Sequence, residues 1–236
     1  MQSQNGIWIG GKHSVEAAIL KRKRKIIQVV ALQKNKFLDE QNINYEIKTD
    51  KFFNKIFFQM HIAHQGVAAL VSALPNVSLE SIGEDKTIVM LDGITDPMNI
   101  GSIIRNCVAF GIQSIIVRDR EFNEKSSSMI KASSGAIEEI QICKIPNLSN
   151  AIKYLKSKDF WVVCLDGQAN QKIQDYKWDK KNLIVFGSEG EGVGNLIKKN
   201  CDHSLKIEIN NAIESLNVSN AVAVTLYSIQ EQKLTK

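Results

Sequence analysis

Short apolar runs alternate with helical stretches through the last two thirds of the chain. Near-continuous apolar strands separated by helices are typical of a parallel sheet covered on both faces. The pattern predicts strands over 87–92, 114–119, 139–145, 160–166, 182–187 and 204–209, and helices over 98–110, 126–133, 147–157, 193–200 and 218–231. We therefore predict an α/β fold for this part of the chain.

The first third reads as a separate, smaller α/β unit. A short helix is predicted over 13–20 and strands over 26–32 and 66–74, with mixed pieces between them. The next stretch is rich in turn residues and shows little periodicity, which indicates a linker. We expect domains over 1–74 and 87–236, joined by a linker over 75–86.

Composition places the chain among ordinary globular proteins. Of 236 residues, 44% are hydrophobic and 23% charged. No stretch approaches the roughly 20 apolar residues of a membrane span, and no signal-peptide core is present. We expect a cytoplasmic, soluble protein without a membrane.

The cysteines and histidines do not form a metal-binding pattern. Cys107, Cys143, Cys164 and Cys201 contain no C-x-x-C pair, which predicts reduced thiols. His61 and His64 are three residues apart, but no acidic or cysteine partner lies nearby. We expect no metal site.

Positive charge is concentrated at the amino-terminal end. The net charge is +5, yet residues 1–75 alone carry +6, and five of their basic residues form the run KRKRK over 21–25. Such asymmetry favours a module that binds a polyanion. The alternative is a solvated turn between a helix and a strand.

Three loops that follow predicted strands carry candidate chemistry, because ligands of such sheets bind at the carboxyl ends of strands. In the first, LDGITDPMNIGSIIRNCVAFG over 91–111, Asp96-Pro97 predicts a helix start that places Asn99 in the first turn. Arg105 follows within a largely apolar helix, where a lone arginine must pair or face a polar ligand.

The second and third loops are rich in glycine and in small polar residues. LIVFGSEGEGVG over 183–194 lacks the G-x-G-x-x-G and Walker spacings, and Glu189 and Glu191 would repel a pyrophosphate. A ligand without phosphates, or a cationic one, suits it better. ESLNVSNAVAV over 214–224 offers four small polar side chains at a helix start, more than capping alone requires.

In order and spacing, TDPMNIGSIIR, GSEGEG and ESLNVSNA together resemble the motifs of the SpoU family, the TrmH-like RNA 2′-O-methyltransferases of the SPOUT class. In the amino-terminal third, GKHSVEAAIL and HQGVAALV resemble the substrate-binding domain of the family's enzyme for 23S ribosomal RNA guanosine. The resemblance covers nearly the whole chain. It implies a trefoil-knotted catalytic domain, an L30e-like RNA-binding domain and a homodimer with the active site near its interface.

The resemblance also implies S-adenosylmethionine as methyl donor and assigns the site residues. The catalytic set is Arg105, Asn99, Glu189, Ser215 and Asn217, and the donor-binding set is Gly187, Ile207, Leu216, Asn217 and Val218. Because a guanidinium almost never deprotonates, an RNA phosphate could share the proton of the ribose 2′-hydroxyl, or Arg105 could stabilise the developing alkoxide.

The chain departs from the family pattern just before the third motif. Where the family has IPM-x-G, this chain has IEINN over 207–211, so that Glu208 replaces proline and Asn211 replaces glycine. Asn tolerates a positive φ, so we expect the loop to persist. Glu208 places a negative charge beside the expected donor site.

Other functions remain open at this point. The expected function is 2′-O-methylation of a guanosine in 23S rRNA. The alternatives are a tRNA methyltransferase of the same family and a non-catalytic RNA-binding protein of ribosome assembly. A nucleotide-dependent oxidoreductase is disfavoured by the glycine spacing.

Overall fold

The computed structural model describes residues 6–57 and 64–234, which form two compact units. The first unit contains the described residues up to Pro75 together with Glu124–Glu139, and the second contains Asn76–Asn123 and the residues from Ile140 onward. The elements in chain order are β1 (Ile7–Gly10), α1 (Lys12–Lys21), β2 (Ile26–Ala31), α2 (Lys36–Glu40), β3 (Glu46–Ile47), α3 (Asp50–Phe57), β4 (Val67–Val71), β5 (Thr87–Asp92), α4 (Pro97–Ala109), β6 (Ser114–Arg118), α5 (Ser127–Ser133), β7 (Gln141–Ile145), α6 (Leu148–Lys156), β8 (Trp161–Leu165), β9 (Gln171–Lys172), β10 (Asn182–Gly187), α7 (Asn195–Lys198), β11 (His203–Lys206) and α8 (Val218–Leu234).

The first unit is built on a four-stranded sheet of order β1-β4-β2-β3. β4 pairs antiparallel with both β1 and β2, and β2 pairs parallel with β3. The predicted helix and both predicted strands are present. β1 was not predicted, because four residues between Gly6 and Gly11 are too short to show a period.

A segment from the middle of the chain completes the core of the first unit. Ile130, on α5, is buried among residues of α1, β1, β2 and β4. The next turn, at Gly135, passes so close to α1 that an added Cβ would lie 2.9 Å from the Ala17 side chain. The sequence pattern gave no sign that this segment belongs with the first unit.

The second unit is built on a seven-stranded sheet of order β7-β6-β5-β10-β8-β11-β9, in which every neighbouring pair is parallel. This confirms the predicted α/β architecture with a parallel sheet. The predicted strand over 204–209 ends at Lys206, and β9 was not predicted. The chain after Lys206 is therefore free to form a loop at the sheet edge.

Both faces of this sheet are covered. Side chains on one face, such as Met90, Cys164 and Val185, pack with Leu148 and Ile152 of α6 in one core cluster. Successive strand residues point to opposite faces, and on the other face α8 contacts β10 and packs along α4. Three of the cysteines are buried, Cys201 is partly buried, and all four are free thiols, as predicted.

Candidate active site

The active-site candidates meet because β5 and β10 are neighbours that end at the same level. Their parallel register pairs the last residues of the two strands, Asp92 with Gly187. The loops that follow therefore start side by side at the carboxyl edge of the sheet. In the sheet, β6 lies on one side of β5 and β10 lies on the other, so the chain order reverses at β5. Parallel sheets bind ligands at such a topological switch point.

The first loop delivers Asn99 through a well-formed helix start. The Asp96 carboxylate accepts hydrogen bonds from the backbone N–H of Met98 at 3.1 Å and of Asn99 at 3.3 Å. Pro97 occupies the first turn of α4, where its missing N–H costs nothing. The prediction of a helix that begins at this Asp-Pro pair is confirmed.

Glu189 is the centre of a three-residue cluster. Its Oε1 accepts hydrogen bonds from Asn217 Nδ2 at 2.6 Å, from Asn99 Nδ2 at 3.1 Å and from the Val218 backbone N–H at 3.3 Å. Asn217 Nδ2 also donates to Asn99 Oδ1 at 2.9 Å. Residues distant in sequence, one from each of the three motifs, thus share one hydrogen-bond network.

Asn217 has a second role as the cap of α8. Its Oδ1 accepts from the Ser219 backbone N–H at 2.9 Å and from Ser219 Oγ at 2.6 Å. Asn106 of α4 donates to the Ser219 carbonyl at 2.8 Å, which fixes this helix start against α4. The polar stretch at the third motif therefore combines helix capping with the cluster.

Ser215 and Arg105 do not join this cluster. Ser215 is exposed, and so is Arg105, for which the described part of the chain provides no hydrogen bond or ion pair. Of the two expected outcomes for Arg105, an internal pair or a polar ligand, the described residues do not provide the pair, because α4 buries Ile100, Ile103 and Ile104 on one face and presents Arg105 on another. Its guanidinium is left accessible to a ligand.

A cleft of about 590 Å³ adjoins Glu189. Its walls come from the ends of β8 and β10 and from the loop after β11. Of the residues assigned by resemblance to donor binding, four line it and Asn217 does not; the four are Gly187, Ile207, Leu216 and Val218. Glu189 and Ser215, from the catalytic set, also line the cleft.

Gly187 is required by a close approach of the backbone. A Cβ at this position would lie 2.0 Å from the Gly192 carbonyl carbon and 2.1 Å from the Val193 nitrogen. The loop folds back on itself there, with the Gly192 N–H donating to the Ser188 carbonyl at 2.9 Å. Only glycine leaves room for this turn, which forms one wall of the cleft.

The cleft also contains residues that the sequence analysis missed. The chain after β8, Leu165–Gln168, forms part of its lining, and Asp166 within it is paired with Lys198. The hydrogen bond from Lys198 opposes the effect of burial, and the pKa of Asp166 is lowered. A polar pair directly after a buried strand was the available signal, but no motif marks it.

Of the two departures from the family pattern, the structure explains the one at Glu208. Glu208 forms an ion pair of 2.7 Å with Lys172, which β9 brings alongside β11. This hydrogen bond lowers the pKa of Glu208, so its charge is present but paired. The reason we gave for Asn211 is wrong, since Asn211 is not among the described residues with a positive φ.

A second acidic residue organises the same edge of the sheet. Asp92 is buried, with Oδ1 2.7 Å from Arg118 Nη2, while Oδ2 accepts the Gly194 N–H at 2.9 Å. Arg118 Nε lies 3.3 Å from Glu121, and Glu121 accepts the Gly93 N–H at 3.2 Å. This network ties the loop after β5 to the loop after β10 and was not predicted.

Part of the basic run over 21–25 contacts segment 124–139 within the first unit. Arg24 is fully buried and paired with Glu138, which is also buried. Lys21 pairs with Glu139 at 2.8 Å, and burial lowers the pKa of Lys23. Segment 124–139 therefore removes Arg24 from solvent, while Lys21, Arg22 and Lys25 stay exposed, so part of the run is available to a polyanion.

The described residues contain no group of three or more side chains arranged to hold a metal ion. His61 lies outside the described residues, and the His64 ring packs 4.6 Å from that of Phe53. Among the described helices, none is long and apolar enough to cross a membrane.

Comparison with known proteins agrees with this geometry. Residues 86–227 match the SpoU rRNA Methylase family, and residues 8–77 match the RNA 2′-O ribose methyltransferase substrate-binding family. A TrmH family tRNA/rRNA methyltransferase of Staphylococcus epidermidis is 30% identical, with 96% of each chain covered. A counterpart in Staphylococcus aureus is 30% identical over 94% of each chain.

Solved structures show the same fold. The SpoU methyltransferase AviRb from Streptomyces viridochromogenes, in complex with AdoMet, has a TM-score of 0.85 at 20% identity, covering 98% of this chain and 91% of that one. The AdoMet-bound rRNA methyltransferase from Sinorhizobium meliloti has a TM-score of 0.81 at 20% identity, covering 96% and 87%.

The fold and the family matches define an RNA ribose methyltransferase with its own RNA-binding domain. The chain belongs to the SpoU rRNA methylase family, as the three motifs indicated.

Proposed function

We propose that this protein transfers a methyl group from S-adenosylmethionine to the 2′-oxygen of a guanosine ribose in 23S ribosomal RNA. The observation that carries the proposal is the network of Asn99, Glu189 and Asn217 at the rim of the cleft. The amino-terminal substrate-binding domain favours ribosomal RNA. The relatives' name, which includes both tRNA and rRNA, keeps tRNA as the second candidate.

The cleft suits S-adenosylmethionine, a ligand that has no phosphate and carries a positive sulfonium. Glu189, Glu191 and Glu214 line it against one lysine, Lys206, so its potential favours a cation over a dinucleotide. Gly187, Ile207, Leu216 and Val218 would hold the donor, with Gly187 allowing the backbone to approach closely. When bound, the donor supplies an electrophilic methyl group.

The protein's own residues position the attacking oxygen and handle its charge. Glu189 Oε1 already accepts three hydrogen bonds, so we assign Glu189 to holding Asn99 and Asn217 in place rather than to taking a proton. Arg105 is exposed and stays protonated, which suits it to stabilising the developing 2′-alkoxide. A phosphate of the RNA then shares the departing proton.

We also propose that the protein is a homodimer with the active site close to the interface. Met98 and Arg105 lie two turns apart on one side of α4, and Met98 is 50% exposed. On α8, which packs on α4, Val224 and Tyr227 are exposed as well, and Tyr227 makes an edge contact with Phe110. A second copy of the chain would cover this apolar surface and would then lie close to Arg105.

The trefoil knot and the cytoplasmic location are part of the same proposal. β10 follows β8 in the sequence but lies between β5 and β8 in the sheet. The loops after β10 and β11 lie together at the carboxyl edge of the sheet. We infer the threading of the chain through its own loop from membership of the SpoU family, and this strand order is compatible with it.

The deciding measurement is transfer of labelled methyl from S-adenosylmethionine to unmodified 23S rRNA and, in parallel, to bulk tRNA. We expect label on one guanosine 2′-oxygen of the rRNA. Label in tRNA alone would replace the rRNA assignment with the tRNA alternative. Tight RNA binding without label in either RNA would support the assembly-protein alternative.

Arg105→Ala tests the assignment of the catalytic arginine. We expect methyl transfer to fall by at least roughly a hundredfold, the scale of losing one charge-stabilising donor, while donor affinity stays within about twofold. Isothermal titration with S-adenosylmethionine and single-turnover transfer measure the two effects. Lys153→Gln, on the exposed surface of α6, is the control, and wild-type turnover in Arg105→Ala would contradict the assignment.

A further inference from the structure

A second cavity lies in the second unit, beside the active-site cluster. Its volume is about 480 Å³, within the range of roughly 300–1,000 Å³ that is typical of ligand sites. It is bounded by the last residues of β5 and β6, by the chain between β7 and α6, and by Gly194–Ile197. None of the catalytic or donor-binding residues assigned above lines it.

One guanidinium in this cavity is available to a ligand. Arg118 forms ion pairs with Asp92 and Glu121, and its charge neutralises the buried carboxylate of Asp92. The Arg120 side chain is 77% exposed, and its contact with Glu121 is long, at 3.8 Å. A guanidinium so placed binds a phosphate through paired N–H groups.

The remaining lining combines apolar and amide groups. Leu196 is 68% exposed, and Pro146 extends the apolar surface beside it. Asn147 and Asn195 add amide side chains. A positive group for the phosphate, an apolar surface for the face of a base and amides for its edge match the groups of a single-stranded nucleotide. Asn147 contributes its Nδ2, because its Oδ1 accepts the Ser149 and Asn150 N–H groups at the start of α6.

The cavity and the donor cleft share one loop. Gly187–Gly192 line the cleft, and Gly194–Ile197 line the cavity. The Gly194 N–H donates to Asp92 at 2.9 Å, which fixes the boundary between them. A nucleotide in the cavity would therefore lie on the other side of the loop that carries Glu189.

We propose that this cavity binds a nucleotide of the substrate RNA that neighbours the methylated one, with Arg120 on its phosphate and Leu196 against its base. The inference rests on the proposed function, because it takes RNA as the substrate. It adds a recognition site that the three motifs do not contain.

The test uses Arg120→Gln and Leu196→Ser in the full chain, with Lys153→Gln as a control for the loss of one exposed positive charge. Binding of in-vitro-transcribed 23S rRNA is measured over a range of salt concentrations, and S-adenosylmethionine binding is measured by calorimetry. We expect each cavity variant to bind RNA roughly five- to tenfold more weakly, with donor affinity unchanged. Arg120→Gln should also lower the salt slope by roughly 0.7, the contribution of one phosphate contact on a single strand.

The proposal would be overturned if both cavity variants bound RNA with wild-type affinity, or if Lys153→Gln lost as much RNA affinity as they do. A wild-type protein that binds no RNA would also overturn it. The binding assay does not depend on turnover. A wild type without methyl transfer, combined with weaker binding by the cavity variants, would refute the proposed function and with it the position beside a methylated nucleotide, and would leave only RNA binding by the cavity.

Discussion

At the scale of single residues, the active site depends on side chains that serve structure and chemistry together. Asn217 caps α8 through its oxygen and holds Glu189 through its amide nitrogen. The amide oxygen faces the helix and the amide nitrogen faces the cluster, which explains why an amide side chain suits this position. A serine at the same position would retain the cap and lose the fixed N–H donor.

Gly187→Ala should damage the donor cleft specifically. The added Cβ would overlap the Gly192–Val193 backbone, so the turn must move and take one wall of the cleft with it. We expect donor affinity to fall at least roughly tenfold, measured by calorimetry with S-adenosylmethionine. Gly167→Ala is the matched control, because Gly167 also lines the cleft but its added Cβ meets nothing within 4 Å. Equal losses in the two variants would contradict this explanation.

Tyr176→Phe should leave stability unchanged or raise it. The Tyr176 hydroxyl is buried and has no hydrogen-bond partner within the described ranges, while its ring packs edge-on against Trp178. Removing an unsatisfied hydroxyl costs nothing, whereas removing a bonded one costs about 1 kcal/mol. Tyr45→Phe is the control, since the Tyr45 hydroxyl donates to Asp39 and accepts from the Asn35 N–H. Thermal unfolding of both variants at pH 8 tests the difference.

The same tyrosine predicts a pH dependence. Burial raises the pKa of Tyr176 from 10.0 to about 12. A raised folded-state pKa gives stability that is complete below the unfolded value and lost as pH rises through the folded one. The free energy of unfolding of the wild type should therefore fall between about pH 10 and 12 more steeply than that of Tyr176→Phe. Parallel plots of unfolding free energy against pH for the two proteins would contradict the raised pKa of Tyr176.

At the scale of elements, segment 124–139 is held in the first unit by charge as well as by apolar packing. The buried pair of Arg24 and Glu138 lies beside the exposed pair of Lys21 and Glu139. Breaking a buried pair leaves an uncompensated charge, whereas an exposed pair contributes little. The two neighbouring pairs therefore allow the energetic cost of breaking a buried ion pair to be compared with that of breaking an exposed one in the same protein.

Arg24→Ala should destabilise the protein by about 3–5 kcal/mol, and Lys21→Ala by less than about 1 kcal/mol. The double variant Arg24→Met with Glu138→Leu should recover most of the loss, because no buried charge is left unpaired. Denaturant unfolding measures all three variants. Similar costs for Arg24→Ala and Lys21→Ala would show that the burial of the first pair has no energetic consequence.

At the scale of the whole molecule, the two units cannot be separated by one cut. The chain passes from one unit to the other after residues 75, 123 and 139. A fragment over 76–236 would expose Ile130 and Ile137, which are buried in the full chain, and leave Glu138 without Arg24. We expect this fragment to aggregate.

Replacing 124–139 in that fragment by a flexible Gly/Ser linker of roughly ten residues should restore solubility and donor binding while RNA affinity stays low. Light scattering and calorimetry with S-adenosylmethionine and RNA measure these properties. Equal loss of donor and RNA affinity in the repaired fragment would mean that the first unit is structural and does not bind RNA.

The sequence predicted most strands, most helices and the three motifs, because apolar periods and loop signatures are local properties, but it missed the short strands β1, β3 and β9. It did not predict that Arg24 is buried, since a run of five basic residues looks the same whether it faces solvent or a distant carboxylate. The cavity at Arg120 was also missed, because its walls come from four separate parts of the chain. The strand order that brings them together is not encoded in any one stretch.

The late arrival of Ile130 and Glu138 in the first unit has a consequence for synthesis. Amino-terminal domains commonly fold while the rest of the chain is still being made. Here the core of the first unit lacks Ile130, and Arg24 lacks its counter-charge, until residue 138 has left the ribosome. The amino-terminal unit is thus completed only after β5, α4 and β6 of the second unit have already been synthesised, so the two units mature together rather than in turn.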